Sequence, residues 1–212
     1  MLQFITNPSE KYTIAEEVRM AIEGGCRWIQ LRMKNASDEE VKQTALGLID
    51  ICRDHDAFLV IDDRVNVVEE LKVSGVHLGK NDMNPLEARE LLGPHAIIGA
   101  TANTAEDILK YKGKDIDYIG LGPFRYTTTK EKLSPVLGLE GYKKIISEVR
   151  GAGMDIPIVA IGGITLEDVD DLMATGVSGI AVSGAIINAP DPMLYTSQIM
   201  EKLLGIPHDK EQ

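Results

Sequence analysis

Short apolar runs alternate along the chain with longer segments of helical periodicity. Eight such runs occur, and most are rich in Val and Ile without the polar–apolar alternation of a half-exposed strand. Continuous apolar runs of this kind are typical of parallel strands that are buried on both faces. The predicted strands are Leu2–Thr6, Trp28–Arg32, Ala57–Ile61, Gly75–Leu78, Ala96–Ala100, Tyr118–Leu121, Ile156–Ile161 and Gly179–Val182.

The segments between these runs carry apolar residues at every third or fourth position, which is the spacing of the buried face of a helix. Thr13 with Glu16, and Ser37 with Glu40, have the spacing of capping boxes at two of the predicted helix starts. Glycines close several of the segments, because glycine readily adopts the left-handed conformation that ends a helix. The predicted helices are Thr13–Glu23, Ser37–Cys52, Arg64–Val73, Pro85–Leu92, Thr104–Tyr111, Gly138–Val149, Thr165–Ala174 and Pro192–Leu204.

Eight strand-then-helix units in 212 residues predict an α/β protein with a closed (β/α)8 TIM barrel. A doubly wound open sheet built from the same units is the alternative. No linker or low-complexity tract interrupts the pattern, so we expect a single barrel domain over residues 1–207. A polar C-terminal tail follows at residues 208–212.

The formal net charge of −11 argues against a nucleic-acid partner, which usually requires a basic face. A phosphate site in so acidic a chain has to be a local pocket of cations or backbone amides, with or without a metal ion. Cys26 and Cys52 lack metal-ligand spacing and are interpreted as small core residues in a reducing compartment. The N-terminus does not have the pattern of a secretory signal, and no apolar run reaches the ~18 residues of a membrane span. We therefore expect a cytoplasmic protein with no membrane partner.

Functional side chains of a (β/α)8 barrel project from the carboxyl ends of its strands. Gln30, Arg32 and Lys34 follow the second run, and strand alternation places them on one side. Two of the three are cationic, which favours a phosphate or carboxylate site over a solvated strand edge.

Aspartates follow the third and fourth runs. Asp62 and Asp63 come directly after one strand, and Asp82 lies shortly after the next. Asp63 and Asp82 would meet at one mouth, and two carboxylates beside an anionic substrate suggest Mg²⁺. Both aspartates also precede helices, so helix N-capping is the alternative. The residues alone leave the two interpretations open.

Three later segments carry candidate phosphate ligands. The long loop after the sixth run contains Thr127, Thr129 and Lys130, and a mobile surface lid is the alternative for it. Gly162-Gly163 and Ser183-Gly184 follow the seventh and eighth runs, where barrels of this type commonly bind phosphate. His77 lies within an apolar run, and we interpret it as a structural strand histidine.

These motifs occur together in one family of enzymes. In order and spacing the chain resembles the thiamine-phosphate synthase (thiamine-phosphate pyrophosphorylase) family over almost its whole length. The resemblance rests on Gln30-Leu31-Arg32-Met33-Lys34, Asp62-Asp63-Arg64, Gly75-Val76-His77-Leu78-Gly79 through Asp82, Gly120-Leu121-Gly122-Pro123, Thr127-Thr128-Thr129-Lys130 and Ala160-Ile161-Gly162-Gly163-Ile164.

The resemblance implies a transferase that joins two phosphorylated halves of thiamine. One substrate is 4-amino-2-methyl-5-hydroxymethylpyrimidine pyrophosphate, and the other is hydroxyethylthiazole phosphate or its carboxylated form. The pyrophosphate leaves first, the aminopyrimidine stabilises the methylene cation, and the thiazole nitrogen then attacks. Such a route needs little proton transfer by the protein.

The resemblance also implies roles for individual residues. Gln30, Arg32 and Lys34 contact the pyrimidine pyrophosphate, Asp62 belongs to the same substrate-binding set, and Thr101 lies near the pyrimidine. Asp63 and Asp82 hold Mg²⁺. The thiazole phosphate is bound by Thr127, Thr129, Gly163, Ser183 and Gly184, and Gly162 belongs to the substrate-binding set. Lys130 reaches the pyrophosphate, and the residues expected to act in catalysis are Arg32, Lys34, Lys130 and Thr101.

Five residues depart from the family pattern: Met33, Asp62, Lys80, Arg125 and Tyr126. Asp62 stands where Asn is common, and Lys80 where Gln is usual. One hypothesis is that Asp62 and Lys80 form a compensating charge exchange. None of the departures removes a predicted metal ligand or the Thr127, Thr129 and Lys130 set.

Two other functions compete with the synthase. A thiazole tautomerase shares the barrel but does not need the metal aspartates or the threonine-rich loop. A catalytically silent barrel that binds thiamine precursors is the second alternative. Barrel enzymes of this size often form homodimers, and a homodimer is one expectation for this chain.

Overall fold

The computed structural model describes residues 1–126 and 135–206, in which eight parallel strands close into a barrel in sequence order. The first strand pairs with the eighth, with Phe4 opposite Val182, so the open-sheet alternative is wrong and the closed barrel is confirmed. The strands are β1 Leu2–Ile5, β2 Trp28–Leu31, β3 Phe58–Asp62, β4 Gly75–Leu78, β5 Ile97–Ala102, β6 Tyr118–Leu121, β7 Ile158–Ile161 and β8 Gly179–Val182.

Helices cover the outside of the barrel between successive strands. They are α1 Ile14–Glu23, α2 Asp38–Arg53, α3 Val65–Leu71, α4 Pro85–Leu92, α5 Ala105–Leu109, α6 Gly138–Gly151, α7 Val169–Ala174, α8 Gly184–Ile187 and α9 Pro192–Leu204. The capping boxes predicted at Thr13 and Ser37 are present, with both side chains accepting from the backbone of the third helical residue.

The structure differs from the predicted boundaries at three informative places. The strand predicted to start at Ile156 starts at Ile158, because Pro157 has no N–H to donate to a neighbouring strand. The helix predicted from Thr165 opens as a 3-10 turn at Leu166–Asp168 before α7. Helix α8 was not predicted, because its four residues are too short to show a helical period.

The apolar residues form two cores. The larger one lies between the strands and the surrounding helices and includes Phe4, Ile29 and Ile61. The smaller one lies inside the barrel and includes Tyr118 and Val159. Side chains alternate along a strand, so strands such as β1 and β7 contribute to both cores, which is why their runs are apolar without alternation.

Two further predictions concern the cysteines and the membrane. Cys26 and Cys52 are buried free thiols, as expected of core residues. Within residues 1–126 and 135–206, no helix is both long and apolar enough to cross a membrane. The predicted domain boundary after residue 207 and the tail at 208–212 lie outside the described residues.

Candidate active site at the carboxyl ends of the strands

Asp62 joins two of the predicted substrate-binding residues. Gln30 donates from Nε2 to Asp62 Oδ1 at 2.7 Å, and the Arg32 guanidinium lies 3.5 Å from Asp62 Oδ2. The hydroxyl of Thr6 accepts from the Arg32 amide at 2.9 Å, so the end of β1 holds the end of β2 in place. Thr6 was not among the predicted site residues, and its contact with Arg32 depends on strand register.

Asp63 and Asp82 meet at the same mouth, as predicted. The Lys34 ammonium contacts Asp63 Oδ2 at 2.7 Å, and Asp82 Oδ2 accepts from the Gly79 amide at 2.7 Å. Asp63 has a left-handed φ of 66°, a conformation that aspartate tolerates better than most residues. At Gly79, a Cβ would lie 2.7 Å from Asp82 Oδ2, so glycine allows the carboxylate to approach the strand end.

The two carboxyls shift each other's pKa in opposite directions. Burial acts to raise the pKa of Asp63, but its hydrogen bond with Asp82 and the nearby Lys34 outweigh burial and lower the pKa. Burial, followed by the hydrogen bond and charge of Asp63, raises the pKa of Asp82. The two carboxyls therefore lose their protons in separate steps, with Asp63 ionising at the lower pH.

The helix-capping alternative for these aspartates is wrong. Arg64 occupies the N-cap position of α3, and Asn84 caps α4 by accepting from the Leu86 amide. Two facing carboxyls fit Mg²⁺, which is usually held by one or two protein carboxylates together with water and substrate oxygens. Residues 1–126 and 135–206 contain no group of three or more His, Cys, Asp or Glu side chains that could hold a metal by themselves.

Asp62 and Lys80 contact different partners, so their charge exchange stays a hypothesis without a direct ion pair to support it. Lys80 contacts Asp107 Oδ2 at 2.5 Å, while Asp62 contacts Gln30 and Arg32. Lys80 and Asp62 follow neighbouring strands, but Lys80 turns towards α5 and away from β3. Asp62 and Lys80 both belong to the family motifs, yet their contacting residues follow from the direction of each side chain and not from those motifs.

Thr101 lies at the end of a hydrogen-bonded series of side chains inside the barrel. Its hydroxyl is 3.0 Å from His77 Nε2, His77 Nδ1 is 2.9 Å from the Tyr118 hydroxyl, and Gln3 Nε2 donates to that hydroxyl at 3.2 Å. His77 was interpreted as structural, and Gln3 and Tyr118 were not predicted to belong to the site. The sequence signal that could have identified them is the presence of polar residues inside otherwise apolar predicted strands.

The turns after β7 and β8 have the form expected of a phosphate site. Gly162 and Gly163 have φ of 101° and 67°, and a Cβ at Gly162 would lie 2.8 Å from Pro123. Ser183 directly precedes the short helix α8, and its buried hydroxyl has no hydrogen-bond partner within the described residues. A buried donor without a protein acceptor is available to a ligand.

Arg125 ties the segment after β6 to the turn after β7. Its guanidinium makes two contacts of 2.8 Å with the Asp168 carboxylate and donates to the Gly163 carbonyl at 2.7 Å. The sequence identified Arg125 only as a departure from the family pattern. Thr127, Thr129 and Lys130 lie outside the described residues.

The fold and this site define a single-domain (β/α)8 barrel enzyme with cations, paired carboxyls and glycine turns at the carboxyl ends of its strands. A family model described as thiamine monophosphate synthase matches residues 2–186. The chain belongs to that family, so the resemblance and the predicted transferase class are confirmed.

Individual relatives are similar to this chain over nearly its whole length. A thiamine-phosphate synthase of Bacteroides fragilis is 56% identical over 199 residues, covering 94% of this chain and 98% of the relative. One from Pyrococcus furiosus is 40% identical over 193 residues, covering 90% of each. The solved thiamine phosphate pyrophosphorylase of Pyrococcus furiosus superposes with a TM-score of 0.84 at 36% identity, covering 97% of this chain and 96% of that one.

Proposed function

We propose that the protein joins hydroxymethylpyrimidine pyrophosphate to hydroxyethylthiazole phosphate, or its carboxylated form, and releases pyrophosphate with thiamine phosphate as product. The observation that carries this proposal is the meeting of Asp63, Asp82 and Lys34 at one mouth, beside the Arg32–Asp62–Gln30 contacts. This arrangement suits a highly charged anion that leaves during the reaction.

Arg32 and Lys34 are proposed to bind the pyrophosphate and to stabilise the charge that it gains as it leaves. Preorganised cations of this kind lower the barrier, because the charge develops where they already lie. Asp63 and Asp82 would hold Mg²⁺, which supplies further neutralisation of the leaving group when bound. The Lys34 contact with Asp63 keeps the ammonium at the same end of the site.

Gln30 is proposed to recognise the aminopyrimidine. Its Nε2 is committed to the Asp62 carboxylate, which can only accept, so the amide orientation is determined. Its Oε1 is buried and lacks a partner within the described part of the chain. That oxygen is free to accept from the amino group of the pyrimidine.

The thiazole phosphate is proposed to bind where Gly162, Gly163, Ser183 and Gly184 meet after β7 and β8. The unpartnered Ser183 hydroxyl and the start of α8 support this placement. Thr127, Thr129 and Lys130 would complete the site on the strength of the family motif alone. Binding the two substrates in one mouth converts their encounter into an intramolecular reaction.

The deciding experiment mixes the purified protein with both substrates and Mg²⁺ and measures thiamine phosphate. We expect product that disappears with EDTA and in Asp82→Ala, while Asp155→Ala, which removes an exposed carboxylate, retains activity. If folded protein bound the thiazole phosphate but gave no product, the tautomerase or the silent binding barrel would replace the synthase. The comparisons with known proteins lend those alternatives no support.

The oligomeric state, the cellular location and the absence of nucleic-acid partners stay predictions. A homodimer, a cytoplasmic location and the absence of nucleic-acid partners are proposed from the length, the cysteine usage and the charge of the chain. Sedimentation equilibrium across a range of protein concentrations tests the dimer, because a single species with the mass of one 23.2 kDa chain would exclude it.

A further inference from the structure

Four polar side chains on four different strands form a series through the interior of the barrel. Gln3 of β1 contacts Tyr118 of β6, Tyr118 contacts His77 of β4, and His77 contacts Thr101 of β5. Gln3, Tyr118 and His77 are buried, and Thr101 lies at the mouth end of the series. Buried polar groups are costly unless their hydrogen bonds are satisfied, so the direction of each bond matters.

The direction of each hydrogen bond in the series determines which group donates in the next one. Gln3 donates to the Tyr118 oxygen, so the phenol hydrogen needs a separate acceptor. Burial raises the pKa of Tyr118, so the phenol keeps that hydrogen. Of the described residues, His77 Nδ1 is the acceptor within reach at 2.9 Å. The histidine proton then lies on Nε2 and is donated to the Thr101 oxygen.

The barrel is shaped around the two rings. A Cβ at Gly99 would overlap the Tyr118 ring, and a Cβ at Gly120 would lie 2.9 Å from His77 Cε1. Gly99 lies beside both His77 and Tyr118 in the strand register, so its missing side chain makes the room that the rings occupy. Rings confined in this way have few alternative orientations.

We propose that His77 and Tyr118, supported by Gln3, are positioning residues that commit the Thr101 hydroxyl to donate to a ring nitrogen of the pyrimidine substrate. With its oxygen accepting from His77, Thr101 presents its hydrogen to the mouth. Gln30 presents an acceptor from another strand. An aminopyrimidine offers the matching groups, because its amino group donates and its ring nitrogens accept. This inference rests on the proposed function for the identity of the ligand.

The tautomer of His77 can be measured without any substrate. Long-range ¹H–¹⁵N spectra of the full-length protein labelled at histidine distinguish Nε2–H from Nδ1–H, and the His77→Gln variant identifies its signals among the four histidines. We expect Nε2–H in the wild type and a loss of that preference in Tyr118→Phe. The Nδ1–H tautomer in the wild type would overturn the proposal.

Kinetics test the effect on the substrate. The amide nitrogen of glutamine can reach the position of Nε2, whereas that of asparagine stops near Nδ1. We therefore expect His77→Asn to raise KM for the pyrimidine pyrophosphate about tenfold, as loss of one hydrogen bond to a buried group would. His77→Gln should rescue most of this loss, and KM for the thiazole phosphate should not change in either variant.

An analogue with C–H in place of a ring nitrogen tests the contact itself. The analogue should bind the wild type more weakly than the natural substrate does. This difference in affinity should shrink in Thr101→Ala and in Tyr118→Phe. The Tyr118→Phe variant also keeps the test available if His77→Asn does not fold. Equal KM for the pyrimidine in His77→Asn and His77→Gln would refute the positioning role. Failure of the proposed function is distinct, since it would abolish product formation while leaving the tautomer result intact.

Discussion

At the scale of single residues, Asp62 shows how one substitution within a family motif is accommodated. Its two oxygens face different partners, Gln30 at 2.7 Å and Arg32 at 3.5 Å. A carboxylate there accepts from both, whereas the asparagine common in the family would present one donor and one acceptor. Asp62 thus orients the Gln30 amide and holds the Arg32 guanidinium at the mouth.

A double-mutant cycle between Asp62→Asn and Lys80→Gln tests this assignment. We expect Asp62→Asn to lower kcat/KM for the pyrimidine pyrophosphate about tenfold, the effect of weakening a charged hydrogen bond by about 1.5 kcal/mol. Lys80→Gln should have little effect, and the two changes should be additive because Lys80 contacts Asp107 instead. A rescue of Asp62→Asn by Lys80→Gln would contradict additivity and support the charge-exchange hypothesis.

The raised pKa of Asp82 predicts that divalent-cation binding depends on pH. Burial and Asp63 favour the protonated form of Asp82, and a cation must displace that proton. Affinity for Mg²⁺ should therefore be greatest above the pKa of Asp82 and decline as the pH falls through it.

Calorimetry in buffers of different ionisation enthalpy, at about pH 5 and about pH 8, measures both the affinity and the protons released. We expect release of protons at the lower pH and weak binding in Asp82→Asn. Asp155→Asn serves as the control for an exposed carboxylate. Binding that is independent of pH would contradict a site that includes Asp82.

At the scale of elements, the turns after β6 and β7 depend on each other. Arg125 follows β6, yet its guanidinium contacts the Asp168 carboxylate and the Gly163 carbonyl after β7. The Gly162 carbonyl also accepts from the Arg125 amide at 2.9 Å. The glycine turn proposed to bind phosphate is therefore held by a residue from the preceding unit of the barrel.

The coupling energy between Arg125→Ala and Asp168→Ala measures this connection. We expect about 1 kcal/mol from urea denaturation, the upper end for a partly exposed pair, because the two contacts are bidentate. The Lys143–Glu140 pair on the surface of α6 is the matched control and should show a coupling near zero. A coupling no larger than that of the control would mean that Arg125 does not hold the turn.

At the scale of the whole molecule, the packing of the helices against the closed barrel buries one carboxyl group whose ionisation affects stability. Glu17 of α1 carries this group, since its side chain is buried, Oε2 accepts from the Asn7 amide at 3.3 Å, and Oε1 has no partner within the described residues. Burial raises the pKa of Glu17 to about 7. The folded protein therefore binds a proton that the unfolded chain has already lost near neutral pH.

This predicts that global stability falls as the pH rises from about 4.5 through about 7, because Glu17 must then ionise in the folded state. The loss is on the order of 3 kcal/mol for a shift of this size. Glu17→Gln should be more stable than the wild type at about pH 8 and should lack this loss. Urea denaturation at several pH values measures it, with exposed Glu23→Gln of the same helix as the control. Parallel profiles for Glu17→Gln and the wild type would contradict the prediction.

The pattern of the sequence was sufficient to predict the barrel and the strand ends at which several mouth residues meet. Eight apolar runs separated by amphipathic segments leave little choice of architecture, and parallel strands bring their carboxyl ends to one side. Residues directly after those runs, such as Lys34, Asp63 and Asp82, therefore meet as predicted. Two helix starts followed from local signals, the capping residues Thr13 and Ser37, whereas several other boundaries differ from the predicted ones.

The contacts among these side chains, in contrast, became visible only in the folded barrel. Lys80 contacts Asp107 near the start of α5, a pairing that its place in the family motif did not indicate. The contacts of Tyr118 with Gln3 and His77 join residues 115 and 41 positions apart. Such pairs form because closure of the barrel sets the strand register and directs alternate side chains to a common interior. The register and the inward or outward direction of a side chain both depend on neighbouring strands, so a single run of sequence does not reveal them.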